Sequence, residues 1–182
     1  QWHVASHVGA GVAAVVAAAA LGASTEAMGL HPASVFRGVG HGVMIGGVIG
    51  FGLGAAAMVP AFEPMFADPR IDDLVHPDLD RRELARKALL DIPVGTAVYE
   101  ELVFRSALLG LALRRYPAPV AVALTSVLFG FWHVLPAIED RRRDPRHGSR
   151  SLASTVVPTV IGTGFAGAWF ALLRLRSQSV IA

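Results

Sequence analysis

Two carboxylates stand side by side inside an apolar run, in Thr96-Ala97-Val98-Tyr99-Glu100-Glu101-Leu102-Val103-Phe104-Arg105. Ionisable groups in such a setting cost about 3 kcal/mol or more each unless something offsets the lost hydration. Glu101 and Arg105 are four residues apart, share a helical face and can pair with the acid on the favourable N-terminal side. Glu100 points about 100° away from its neighbour and needs a different partner. The next apolar run offers one in Leu128-Phe129-Gly130-Phe131-Trp132-His133, where Phe129 and His133 again share a face. A carboxylate and an imidazole meeting across two helices are the components of general acid–base chemistry on water. A carboxylate surrounded by hydrocarbon holds its proton more tightly, and one beside a cation releases it more readily. Pairing Arg105 with Glu101 therefore leaves Glu100 as the freer of the two. Alone, His133 reads more simply as a packed or interfacial residue of an aromatic belt around Trp132. The acids one run earlier turn that reading toward chemistry.

The elements that must hold these groups are helices, and the composition places them in a membrane. Of 182 residues, 53% are hydrophobic and 16% charged, against roughly a quarter charged in soluble domains. The apolar residues gather into runs at Val8 to Met28, Gly38 to Phe62, Ala88 to Tyr116, Ala118 to Ile138 and Leu152 to Leu173. Each reaches the roughly 20 residues that cross a hydrocarbon core. The fold expected is all-α, a polytopic transmembrane helix bundle of about five spans, with a further span starting near Val180. It forms a single transmembrane domain over residues 1–182. Residues 1–62 carry two N-terminal spans, 63–87 a polar or interfacial connection, and 88–182 the motif-bearing core. Gly29 to Arg37 reads as a turn carrying Pro32, Leu79 to Lys87 as an interfacial helix, and Glu139 to Arg150 as a polar loop. The two longer polar connections share one side and carry most of the arginines, so the positive-inside rule puts them in the cytoplasm. The chain begins at Gln1 and ends inside an apolar stretch, so further chain is expected at both ends.

The net charge is +2 and the arginines sit beside acids, which gives no footprint for nucleic acid. Cysteine is absent, excluding disulfides and thiolate metal sites. The first apolar run lacks a basic n-region and is long enough to span, so it is no secretory signal. Gly38, Gly42, Gly46, Gly50 and Gly54 recur every four residues along one face of the second run. Such a ladder lets a helix approach closely. The neighbour is expected within this chain, with a helix–helix partner through Gly42, Gly46, Gly50 and Gly54 as the alternative. His3, His7, His31, His76 and His147 fall at ends or in loops and read as solvated or interfacial.

The order Glu100-Glu101-x-x-x-Arg105, then Phe129-x-x-x-His133 one span later, resembles the first two motifs of the CPBP family. These are the CAAX-protease and bacteriocin-processing (Abi) intramembrane proteases. The resemblance runs from about Leu79 to the C-terminus. It implies an intramembrane endopeptidase acting on a membrane-associated peptide or protein, with membrane lipid as its surroundings. It implies Glu100 as the base that activates water, His133 as the group that holds that water, and Arg105 as the residue that fixes the glutamate pair through Glu101. The expected location is multi-pass in a bacterial plasma membrane. The family is often described as metalloproteases. A zinc ion, if held, would take Glu100 and His133, with His41 at the second span as a poorer third of the three ligands that catalytic zinc wants. The family pattern also carries His-x-x-x-Asn in a later span. Residues 1–182 do not contain it, and Ser177-Gln178-Ser179-Val180-Ile181-Ala182 looks like the approach to it. Donors to a tetrahedral intermediate are worth about 10²–10³ in rate. Without them the alternative is a non-catalytic membrane scaffold or accessory subunit that keeps the fold. A proton-relay transporter ranks last, because the sequence shows no internal repeat.

Overall fold

Helix starts and stops follow local capping chemistry more closely than they follow apolar composition. The computed structural model describes residues 2–62, 96–143 and 151–181, and the regular elements there are all helical. The connection expected at 63–87, its interfacial helix, the first part of the third run and residues 144–150 lie outside the described residues.

Helix α1 spans Trp2–Ala20, eight residues short of the Met28 boundary expected from composition. Gly22, at φ +90°, ends it: the Gly22 N–H bonds the Ala19 carbonyl at 2.8 Å and the Ala23 N–H bonds the Ala18 carbonyl at 2.9 Å. This is the Schellman pattern, which needs a left-handed residue after the last turn. A single capped turn follows, with Ser24 Oγ accepting from the Ala27 N–H at 3.1 Å and Gly29 at φ +69° closing it. Helix α2, Pro32–Ala57, begins where a turn was expected. Pro32 occupies the first turn, where its missing N–H costs nothing, and His31 caps it by accepting from the Ala33 N–H at 3.3 Å. A short 3₁₀ turn, Pro60–Phe62, follows.

Helix α3 is continuous through three segments: α-helical Val98–Glu100, π-helical Glu101–Leu108 and α-helical Leu109–Ala112. Helix α4 is Ala118–Trp132, and α5 is Val134–Arg143, so Glu139 to Arg143 extend a helix instead of opening the expected loop. Helix α6 is Leu152–Ser177, capped by Ser151 Oγ accepting from the Ser154 N–H.

Two helical stretches among the described residues are long and apolar enough to cross a membrane, Ala118–Glu139 and Leu152–Ser177; Ala5–Ala20 is apolar but shorter. Both stretches are mostly exposed within the protein, with Phe131, Phe165 and Trp169 each more than half exposed. Core helices of soluble domains are instead covered on all apolar faces.

Packing is built on small residues. Helices α1 and α3 run parallel: His7 stacks on Tyr99, Gly11 lies against Leu102, and the Arg114 guanidinium donates to the Leu21 carbonyl. Helices α4 and α6 run antiparallel, with Ala121 and Val122 packed with Ala171. An added methyl at Gly130 would stand 2.6 Å from the Val160 carbonyl, and one at Gly167 would meet Phe129 at 3.0 Å. Such close backbone approach is what holds helices together where lipid removes the hydrophobic drive between them. The α2 ladder is mixed: an added methyl at Gly38 would run into the Ser179 side chain, whereas one at Gly46 would meet nothing within 4 Å.

Candidate active site

The break between α4 and α5 is where the site forms. Pro136 has no N–H for the Trp132 carbonyl and its ring crowds that oxygen, which kinks or breaks a helix, and here the helix is interrupted at His133. The chain turns at His133, with φ −84° and ψ 1°, and its N–H bonds the Gly130 carbonyl at 3.1 Å. The imidazole folds back onto its own helix, Nδ1 lying 2.8 Å from the Phe129 carbonyl oxygen. A carbonyl only accepts, so Nδ1 carries the hydrogen and the Nε2 position faces outward. A carbonyl anchoring one ring nitrogen in this way fixes the tautomer and the ring plane.

His133 Nε2 lies 3.9 Å from Glu100 Oε1 on α3, and both side chains are mostly buried. That separation exceeds a direct hydrogen bond and lies within reach of one bridging water. One position along, Glu101 Oε1 is 3.4 Å from Arg105 Nε. The structure therefore brings together both pairs that the spacing suggested, in two different environments. Arg105 is 2% exposed, its Cζ 4.0 Å above the Phe129 ring centroid, and Phe170 lies on the α6 side. Its Nη1 and Nη2 have no hydrogen-bond partner among the described residues. Its charge is offset by the carboxylate and the ring faces.

Phe129 joins the two environments. Its ring meets His133 at 4.6 Å, Phe104 at 5.0 Å and the Arg105 guanidinium on its face. The wide π-helical turn carrying Glu101 to Leu108 is a feature often found at functional sites. Here it begins immediately after Glu100, so the two carboxylates sit in differently wound backbone.

Glu100 opens onto a cavity of about 410 Å³ lined by His7, Tyr99, Trp132, Leu135, Pro136 and Glu139, among others. His7 was expected near a chain end, solvated or interfacial. It instead stacks on Tyr99 with centroids 5.1 Å apart, because α1 packs parallel to α3. Tyr99 in turn lies 6.0 Å from Trp132. No sequence signal predicts that neighbour, whereas Phe104, missed as a site residue, stands directly before Arg105. His41 bonds the Arg37 carbonyl of its own helix at 2.8 Å and does not line this cavity.

The donor set for a metal is thin. Among the described residues no three His, Cys, Asp or Glu side chains are grouped to hold an ion. Glu100 and His133 supply two donors where catalytic zinc takes three.

A family model described as Rce1-like, type II CAAX prenyl endopeptidase, matches residues 85–182, more than half of the chain. No curated protein and no solved structure matches. The matched stretch contains Glu100, Glu101, Arg105, Phe129 and His133.

Proposed function

The chain belongs to the Rce1-like type II CAAX prenyl endopeptidase family, a membrane-embedded protease family, and on that premise we propose that Glu100 is the base of a multi-pass intramembrane endopeptidase. The substrate is a peptide or protein segment presented at the membrane. A water between Glu100 and His133 donates one hydrogen to Glu100 Oε1 and the other to His133 Nε2, leaving an oxygen lone pair for the scissile carbonyl carbon. Glu100 takes the first proton as the C–O bond forms. It returns that proton to the amide nitrogen as the C–N bond breaks, releasing an amine and a carboxylic acid, which then loses its own proton to solvent. His133 can accept from the water because its Nδ1–H is committed to Phe129. Glu101 and Arg105 take no part in proton transfer and hold α3 against α4. No step is routed through a metal.

The observation that carries this reading is the 3.9 Å approach of Glu100, which lines an open cavity, to the His133 imidazole. The test is cleavage of a membrane-peptide library by the purified protein beside Glu100→Ala and His133→Ala. Cleavage by the parent protein, lost in both variants while their thermal unfolding is unchanged, supports the protease. A folded parent protein that cleaves none of the library favours the scaffold reading.

A further inference from the structure

A second polar cavity lies at the far end of the bundle, between the α1–α2 turn, the start of α2 and the end of α6. Its volume is about 240 Å³, and Glu26, His31, Arg37, Arg174 and Gln178 line it. Arg174 is only 4% exposed. Its Nη2 donates to the Ala27 and Glu26 carbonyls, while its Nε has no hydrogen-bond partner among the described residues. Arg37 Nη2 donates to Gln178 Oε1 at 3.1 Å, and Gln178 is held at φ +57°, a conformation that side chains other than glycine rarely adopt. Across the cavity, Glu26 Oε1 stands 3.9 Å from His31 Nε2. Its own backbone N–H, then the Ser24 hydroxyl, hold the Glu26 carboxyl below the usual carboxylate range, so it is an anion at neutral pH.

Two guanidiniums and one carboxylate thus surround a single cavity. It lies at the end of α6, whose apolar stretch ends at Ser177. Phe36, next to Arg37, is 87% exposed, offering apolar surface beside the polar mouth. A phosphate diester matches guanidinium donors, and a primary ammonium three bonds further along matches a carboxylate. A free phosphate would supply no cation to answer Glu26. A choline headgroup has no N–H to donate.

We propose that this cavity binds the headgroup of an ethanolamine phospholipid, with the phosphate on Arg37 and Arg174 and the ammonium on Glu26. The site is separate from the Glu100 cavity and does not depend on proteolysis.

Native mass spectrometry of the purified chain, titrated with dioleoyl lipids bearing ethanolamine, glycerol or choline headgroups, tests it. The ethanolamine lipid is retained best by the parent protein. Arg37→Ala weakens retention of both the ethanolamine and glycerol lipids by about tenfold or more. Glu26→Gln removes the preference for ethanolamine over glycerol and leaves the glycerol lipid bound. Both altered side chains are exposed, and matching thermal unfolding of the variants excludes a folding cause. Equal retention of the three lipids, unchanged binding by Arg37→Ala, or a preference that survives Glu26→Gln overturns the proposal. Inorganic phosphate displacing the lipid at equal concentration would make this a free-anion site and would overturn it too.

Discussion

Glu100 and Glu101 are chain neighbours in opposite circumstances. Glu100 borders a cavity of about 410 Å³ and faces a histidine 3.9 Å away. Glu101, whose side chain is 28% exposed, pairs instead with a guanidinium that is 2% exposed and stacked on Phe129. The first arrangement leaves room for a third body, and the second fills its space with side chains. Two identical carboxylates are thereby given separate work by which helix face each occupies, and the interior pair supports the wall against which the outer pair operates.

The comparison is most easily broken from the interior side. Arg105→Met should cost about 3 kcal/mol of stability, because it leaves the partly buried Glu101 carboxylate without its partner. The double variant Glu101→Gln with Arg105→Met should recover much of that loss, read by thermal unfolding in detergent. A double variant as unstable as the single one would show that packing on Phe129 and Phe170, not the charge pair, sets the cost. Next in size is Gly130→Val, which drives a side chain into the Val160 carbonyl and should cost about 1–3 kcal/mol. Tolerance of valine there would mean that α4 and α6 sit farther apart than described. The smallest effect on stability is expected for Pro136→Ala. It restores an N–H to the Trp132 carbonyl and lets the helix run on through His133, leaving unfolding nearly unchanged. Cleavage should still fall by about tenfold or more, because the imidazole loses its placement against Glu100. Unaltered cleavage would show that the helix break does not position the site.

The Glu101–Arg105 pairing was legible from residue spacing, since i, i+4 neighbours on a helix share a face whatever the fold. The Glu100–His133 approach was expected instead from the order of the two motifs on successive helices. The all-helical architecture was legible from the apolar runs. Element boundaries were not. The apolar stretch continues past Gly22, but a left-handed residue ends α1 there, and Pro32 starts α2 instead of breaking it. In each case one backbone preference outweighed the composition around it. Two described stretches have the length and apolarity of a span, short of the five expected. The placement of His7 was beyond reach, because it depends on α1 lying parallel to α3, a long-range packing choice that no local pattern encodes. The Pro136 break was present in the sequence four residues after Trp132, and the apolar run concealed it.

The central claim is the division of work between the adjacent glutamates, and one experiment addresses it directly. Single-turnover cleavage of one identified membrane-peptide substrate is measured for Glu100→Gln and Glu101→Gln, each with its thermal unfolding profile. The account predicts that Glu100→Gln lowers the rate by about 10²–10⁴-fold with stability unchanged. Glu101→Gln should keep most of the rate and shift the unfolding temperature. A reversed pattern, with Glu101→Gln inactive and Glu100→Gln active, would contradict it.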